Sequence, residues 1–279
     1  MQVFFINKNM NSFEINTENI NKLIQTSIDA GNAIMDIYDT NFVIEEKIDS
    51  SPLTEADLVS NKIITESLLK ISTDIPIISE ESSEISLNER SSWNEFWLVD
   101  PLDGTKEFIK KNGEFTTNIA LIRQNKPVFG IIHIPATKET YWGSEELGAF
   151  YLKNNSSKRE KISVCKNKNK KIRIVSSRSH PSGDLKALLD KIGDYETIGV
   201  GSSLKFCLLA KGNADLYPRL GPTCQWDTAA GEIIARSSGA IIVDLENKPI
   251  LYNQKDTFLN PYFIVCANET IKKEILQLI

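Results

Sequence analysis

Asp100 and Asp103 stand three residues apart in Trp97-Leu98-Val99-Asp100-Pro101-Leu102-Asp103-Gly104-Thr105, directly after an apolar run. Pro101 restricts φ and Gly104 relaxes the backbone, so a turn is expected at the end of this strand, with both carboxylates converging there. Converging carboxylates repel, and they are tolerated together mainly when a cation neutralises them. Taken alone, a DxxD pair in a turn reads as a capping motif. Two further segments change that balance. Ile77-Ile78-Ser79-Glu80-Glu81 also ends an apolar run with acids, so Glu80 or Glu81 can reach the same point. Trp226-Asp227-Thr228-Ala229-Ala230-Gly231 sets an aspartate at the start of a helix of small residues. Asp227 can be read as an N-cap, and the same helix N-terminus would suit a phosphate. Such acids suit a divalent cation, and the helix start beside them an anionic ligand. No GxSxG elbow and no GxxxxGK[ST] loop occurs, which ranks a covalent phosphoenzyme low.

Hydrophobic periodicity indicates the scaffold on which these acids sit. Ile20, Leu23, Ile24, Ile28, Ile34, Met35 and Tyr38 have helical spacing between Thr17 and Asp39, with Asn16 or Thr17 as N-cap. A second helix is expected over 54–71, with Leu58, Ile63, Ile64, Leu68 and Ile71 on one side. Short β-like runs come next, at 75–78, 96–99, 118–122, 128–134 and 149–152. The polar, Lys/Asn/Ser-rich stretch 153–171 reads as a solvated hairpin and connection rather than a nucleic-acid patch. Beyond it strands (172–176, 215–217, 241–244, 263–267) alternate with helices (183–192, 202–211, 228–238, and one from Glu269), which favours a mixed α/β layer.

The 279 residues allow one large or two modest domains, and 41% hydrophobic with 25% charged residues supports a sizeable core rather than disorder. A net charge of −5 argues against a general nucleic-acid binder and leaves room for a phosphorylated small ligand. Cys165, Cys207, Cys224 and Cys266 show no CxxC spacing and there are only two histidines, so reduced, mostly buried thiols are expected rather than structural zinc or disulfides. Val3-Phe4-Phe5-Ile6 is too short for a signal segment, and no apolar run is long enough to cross a bilayer. A cytoplasmic protein is expected, with peripheral association with the inner membrane left open.

Ser79-Glu80-Glu81, Asp100-Pro101-Leu102-Asp103-Gly104-Thr105 and Trp226-Asp227-Thr228-Ala229-Ala230-Gly231, in that order across most of the chain, resemble the inositol monophosphatase superfamily of Mg²⁺-dependent, lithium-sensitive phosphatases. Within it the chain looks most like the bacterial 3′(2′),5′-bisphosphate nucleotidases of sulfur assimilation. The residues that carry this are Asp103 to Phe108, Ser177-Arg178-Ser179-His180, Gly199 to Lys205, and Tyr217-Pro218-Arg219 before Gly221-Pro222-Thr223. The resemblance implies an α/β fold, the layered αβαβα sandwich shared with fructose-1,6-bisphosphatase. It implies an N-terminal α+β domain over 1–168 carrying two helices on an antiparallel sheet, a mixed α/β domain over 169–279, and an active site between them.

It further implies that Glu80, Asp100, Asp103, Asp227 and the Leu102 carbonyl ligate two or three Mg²⁺ ions, and that Asp57 pairs with Thr105 to orient and deprotonate the attacking water. By the same resemblance, Glu80, Asp103, Gly104, Thr105 and Asp227 also face the substrate phosphate, and Glu81 supports the outer metal shell. Ser177, His180, Gly201 and Lys205 become nucleotide contacts, with Lys205 near the second phosphate. By residue type alone Asp57 reads as a surface or capping residue, Ser177 as a cap, His180 before Pro181 as a turn residue, and Lys205 as a solvated helix lysine. The implied activity is hydrolysis of a small nucleotide substrate, adenosine 3′,5′-bisphosphate, to AMP and phosphate by a monomer or homodimer. The alternatives are an inositol monophosphatase, a histidinol-phosphate phosphatase or, more remotely, a non-catalytic metal- or nucleotide-binding module.

Overall fold

The computed structural model describes residues 12–46, 52–82, 84–154, 156, 158–166, 171–178 and 183–279. The apolar run 3–6, residues 167–170 of the basic stretch and His180 lie outside the described residues. The first amphipathic segment forms α1 (Thr17–Tyr38), and its N-cap is Asn16, whose Oδ1 accepts the Asn19 amide at 2.9 Å. The second forms α2 (Glu55–Ile71), where Ile64 and Leu68 are buried but Leu58 points to solvent with 49% exposure, against the expectation from spacing. A short antiparallel ribbon, β1 (Ile44–Glu46) with β2 (Pro52–Thr54), lies between the two helices in the chain.

Seven strands then build the larger sheet in chain order. They are β3 (Ile77–Ser79), β4 (Glu95–Asp103), β5 (Thr116–Arg123), β6 (Lys126–Ile134), β7 (Glu139–Ser144), β8 (Gly148–Leu152) and β9 (Glu160–Ile162). Pairing is antiparallel except that β3 runs parallel to β4, so the expected purely antiparallel sheet is corrected at this edge. Two short helices interrupt the strands, α3 (Leu87–Arg90) and α4 (Thr105–Ile109). Strand patterning misses β7 because nearly every residue of it is buried, which erases the polar-apolar alternation. It misses β9 because that strand sits inside the polar stretch read as a solvated connection.

Side-chain alternation along β4 and β5 divides the core. Trp97, Val99, Ile119 and Leu121 face α1 and α2, while Phe96, Leu98, Ala120 and Ile122 face the other way. That second face is covered by α7 (Gln225–Ser237), which lies across the central strands. The approach is close at Gly130 of β6, where a Cβ would stand 2.6 Å from the Ala230 carbonyl oxygen. Beyond α7 comes the five-stranded sheet of β10 (Ile172–Ser176), β11 (Tyr195–Gly199), β12 (Leu216–Arg219), β13 (Ile241–Asp244) and β14 (Phe263–Cys266), in the order β11-β10-β12-β14-β13. Here β10 is parallel to β11 and β12, and β14 is antiparallel to both its neighbours. The remaining helices are α5 (Gly183–Ile192), α6 (Leu204–Ala210), which packs on α7 between the sheets, and α8 (Glu269–Leu278), which packs on α5 and β14. The result is the layered αβαβα sandwich. The chain passes from one sheet to the other between Ile162 and Ile172, and one apolar cluster joins both sheets through α7.

None of the four cysteines forms a disulfide; Cys207 and Cys266 are buried while Cys165 and Cys224 are partly exposed. Among the described residues no helix is long and apolar enough to cross a membrane.

His133 on β6 is buried, with Nδ1 2.8 Å from Thr140 Oγ1, and burial pulls its imidazole down from 6.5 to about 4. Between those values the unfolded chain binds a proton that the folded chain refuses, so stability falls as pH drops from 6.5 toward 4. The expected loss from this group is about 3 kcal/mol across that window. Urea midpoints measured against pH should therefore drop more steeply for the wild type than for His133→Gln. Equal acid slopes in the two proteins contradict the assignment.

Candidate active site

The acids are gathered by an irregularity in β4. Its ladder to β5 pairs Asp100 with Asn118 and Asp103 with Thr116, so three steps on β4 match two on β5. The extra residue is a β-bulge, which resets the two-residue alternation and lets Asp100 and Asp103 line one cleft despite their odd spacing. Pro101 is tolerated inside the strand because bulges do not require every ladder bond, so the turn expected at Asp100 to Gly104 comes only at its end. There Gly104 adopts φ 92°, where a side chain is strained, and a Cβ would also stand 3.0 Å from the Glu114 carbonyl oxygen.

Asp100 is about 1% exposed, and its Oδ1 accepts the Leu102 amide at 3.0 Å. Burial, and then the neighbouring Glu80, Asp103, Asp227 and Asp57 carboxylates, hold its carboxyl well above the usual range. Glu80 comes from the single 3₁₀ turn Glu80–Ser82 that follows β3. Asp227 occupies the third position of α7 rather than its N-cap, which is Cys224. Asp227 Oδ2 accepts the Cys224 amide at 2.9 Å and the Thr223 hydroxyl at 2.7 Å, so it caps the helix backwards while its other oxygen stays available. Burial and Asp103 push the Asp227 carboxyl up to about 6, against these two donors. Ligand oxygens of Glu80, Asp100 and Asp227 all lie within 4.8 Å of one another. Three carboxylates so close, with no histidine or cysteine among them, form a donor set that fits hard, oxygen-seeking divalent cations.

Asp103 is set slightly apart. Its Oδ2 faces the Ser203 hydroxyl at 2.7 Å and the Asn118 amide nitrogen at 3.4 Å. Ser203 also lies 2.8 Å from the Asp227 carbonyl oxygen and accepts from Asn118 Nδ2 at 2.9 Å, so this hydroxyl joins the β4 acids to the helix carrying Asp227. Asn118 carries no signal in the sequence and Ser203 only its place in the Gly199 to Lys205 segment, since a serine before a helix gives no sign of a partner about 100 residues away.

Asp57 has the same backward-capping geometry on α2. Its Oδ2 accepts the Thr54 amide at 2.8 Å and the Thr54 hydroxyl at 2.7 Å, so it is neither a surface residue nor idle. The buried carboxylate turns Oδ1 toward Thr105, whose hydroxyl donates to it at 3.1 Å and lies 3.3 Å from the Leu102 carbonyl. Thr105 opens α4 and lines the acid end of the cleft, with Asp57 behind it. The first N–H groups of α4 have no partner within the helix, and Gly104 before them offers no side chain to cap them.

The cleft continues into a second lobe that shares Asp103, Gly104, Glu107 and Asp227 with the first and adds Ser177, Gly201, Lys205, Tyr217 and Arg219. The expected nucleotide residues Ser177, Gly201 and Lys205 are thus brought together there. Lys205 is not a solvated helix lysine: it is 6% exposed, with Nζ 2.6 Å from the Ser202 carbonyl and 3.5 Å from that of Val200. Burial and the nearby Arg219 pull its amine down to about 8, opposed by Asp103, Glu107 and Asp227. Gly201 is also engaged, since its amide donates to Glu114 Oε2 at 2.8 Å. Ser202 comes next at φ 50°, held by Thr116 Oγ1 at 2.7 Å.

The sequence profile of the inositol monophosphatase family matches residues 16–279. Over 248 residues the chain is 45% identical to the 3′(2′),5′-bisphosphate nucleotidase CysQ of Salmonella typhimurium, covering 88% of this chain and 98% of that protein. It is 42% identical to the nucleotidase CysQ of Buchnera aphidicola, covering 89% and 93%. Among solved structures, CysQ from Bacteroides thetaiotaomicron superposes with a TM-score of 0.77 at 37% identity, covering 90% of this chain and 97% of that one. With the acid cluster, the bulged β4 and the five-layer sandwich all present in a chain matched almost end to end, this protein belongs to the inositol monophosphatase family.

Proposed function

We propose that this chain is a Mg²⁺-dependent 3′(2′),5′-bisphosphate nucleotidase that hydrolyses adenosine 3′,5′-bisphosphate to AMP and phosphate. The observation that carries the phosphatase reading is the meeting of Glu80, Asp100 and Asp227 within 4.8 Å at one end of a cleft that also holds the Thr105–Asp57 pair. These three acids, with Asp103 and the Leu102 carbonyl, would hold two or three Mg²⁺ ions, which supply neutralisation of a dianionic phosphate and Lewis acidity toward water. Thr105 does the work on the proton. Its hydroxyl hydrogen points to Asp57 Oδ1, leaving an Oγ1 lone pair to accept from a water in the cleft. As that water attacks phosphorus and the phosphorus–oxygen bond to the ribose breaks, the water's proton passes to Thr105 Oγ1 and the Thr105 proton to Asp57 Oδ1, while the departing ribose oxygen takes a proton from solvent water. Asp57 can serve as the acceptor because Oδ2 is fixed by two Thr54 donors, which aims Oδ1 at Thr105. The amides opening α4 would hold the phosphate oxygens.

An inositol monophosphatase or a histidinol-phosphate phosphatase needs the same acids but has no use for a second lobe that carries basic groups. Lys205 and Arg219 line such a lobe here, which favours a substrate with two anionic groups. A binder without turnover has no use for the Thr105–Asp57 pair. The test is phosphate release from purified protein across adenosine 3′,5′-bisphosphate, inositol 1-phosphate and histidinol phosphate, with Mg²⁺ and with chelator. The expected result is highest kcat/KM on the bisphosphate and none with chelator. Better use of inositol 1-phosphate overturns the nucleotidase reading and leaves the acid-site chemistry standing, whereas ligand binding without phosphate release overturns both.

A further inference from the structure

Arg90, the last residue of α3, is fully buried, and the chemistry proposed above gives it no task. A guanidinium taken out of water is unfavourable unless its donors and its charge are met. Nε donates to the Ile85 carbonyl at 3.2 Å, Nη1 donates to Asn253 Oδ1, and Nη2 donates to the Lys255 and Asp256 carbonyls at 2.7 Å each. None of these four acceptors is a carboxylate. The guanidinium also lies 4.3 Å from the centre of the Phe258 ring, whose face attracts a cation. Asn253 returns the contact, its Nδ2 donating to the Arg90 carbonyl at 2.7 Å from a buried position at φ 59°. A planar fork of fixed donors can grip two stretches of chain in this way, which an ammonium cannot do.

The two stretches lead to two of the acids. On one side, the loop 253–260 wraps the start of α7. The Asn253 amide donates to Gln225 Oε1 at 2.9 Å, and the Gln225 amide donates to the Phe258 carbonyl at 2.8 Å. The Phe258 ring packs on Trp226 with centres 5.0 Å apart. Asn260 donates from its amide to the Thr223 carbonyl at 3.0 Å and from Nδ2 to the Cys224 carbonyl at 2.8 Å. Each residue from Thr223 to Trp226 is thus held by this loop, and Thr223 and Cys224 are the donors that fix Asp227 Oδ2. On the other side, Glu80 follows β3, a three-residue strand at the edge of the larger sheet with β4 as its one neighbour. So short an edge strand holds its end weakly, and Arg90 anchors the segment that leaves it.

We propose that Arg90 is a positioning residue for the metal site: it clamps the segment that follows Glu80 to the loop that seats Asp227, so that two carboxylates from different layers keep the separation a divalent cation needs. This rests on the reading of the acids as Mg²⁺ ligands. Carboxylates of like charge push their segments apart when no cation is bound, and a link that resists this holds the site ready for the ion.

The test is the affinity of substrate-free protein for Mn²⁺, a hard divalent cation of the class these acids suit, read from the loss of its free-ion paramagnetic resonance signal. Wild type is compared with Arg90→Met, Arg90→Lys and Asn253→Gly. Arg90→Met is expected to weaken binding by about 10- to 100-fold, the range for groups that orient metal ligands without touching the ion. Arg90→Lys is expected to fall between, since it keeps the charge but loses the fork. Asn253→Gly suits the positive φ and removes both side-chain bonds with Arg90, so it should weaken binding in the same direction. In steady-state phosphate release the Mg²⁺ concentration for half-maximal rate should rise in parallel, while kcat at saturating Mg²⁺ changes far less. Should Arg90→Met fail to fold, Arg90→Lys and Asn253→Gly decide. Folded variants with a lowered melting temperature and unchanged Mn²⁺ affinity make Arg90 a plain anchor and overturn the assignment. A wild type that binds no Mn²⁺ overturns the metal-site reading on which it rests, a result read before any variant is made.

Discussion

Asp100→Asn and Asp227→Asn each lower kcat by at least ~100-fold in protein with a normal circular dichroism spectrum, the scale expected for losing a metal ligand or a preorganised electrostatic catalyst. The substitution keeps volume and keeps one oxygen, so the Asp100 bond from the Leu102 amide and the Asp227 bonds from Thr223 and Cys224 can survive. What is removed is charge, and in this cluster charge is unfavourable to the protein without cations. Asp100 is buried among Glu80, Asp103, Asp227 and Asp57, all of the same sign. Asp100→Asn is therefore expected to raise the melting temperature in chelator, because it relieves repulsion, and to shrink the stabilisation gained on adding Mg²⁺. A merely structural Asp100 predicts a lower melting temperature in chelator instead. Full activity in either variant with a normal fold removes it from the ligand set.

Thr105→Ala and Asp57→Asn lower kcat by roughly 100- to 10,000-fold while KM changes little, because the pair acts on water rather than on substrate. Thr105→Ala is the cleaner probe. Asp57 also caps α2 through both Thr54 donors, so its loss adds a stability cost of about 0.5–2 kcal/mol that thermal denaturation would register. Thr105→Ser retains the hydroxyl and should recover most of the rate. Because one proton moves through both groups, the double variant should be scarcely worse than either single one. A raised KM with unchanged kcat would make the pair a binding group and dismiss the relay.

The scaffold was readable where one local pattern dominated. The amphipathic spacing from Ile20 to Ile34 marks α1, and the apolar runs before Glu80 and Asp100 mark the strands that end at the acids. β7 was not readable because burial on both faces leaves no alternation, and β11 because its Tyr-Glu-Thr-Ile-Gly sequence leaves most positions at the sheet edge half-buried or exposed. Lys205 looked like a solvent-facing lysine since helical position alone says nothing about the strand that covers it. Arg90 is similar: it is fully buried, although residue type places it at the surface.

By itself the sequence determined which acids exist, their order, and the helix and strand ends on which they sit, because strand-to-turn and helix-start signals are local and depend on a few adjacent residues. Only the tertiary structure decided how they meet. The bulge that turns Asp100 and Asp103 to one side depends on their pairing with β5, and the Ser203 hydroxyl joins Asp103 to α7 across about 100 residues of chain. Backward capping by Asp57 and Asp227 commits one oxygen of each to its helix start, and the second Asp57 oxygen is aimed at Thr105, a division visible only once the donors are in place. That Lys205 is held by backbone carbonyls and not by solvent was likewise decided by the Ser202 and Val200 oxygens that folding brings to its amine. Hydrogen bonds are short and directional, so the residues that share them are chosen by the packing of layers and not by their distance in sequence.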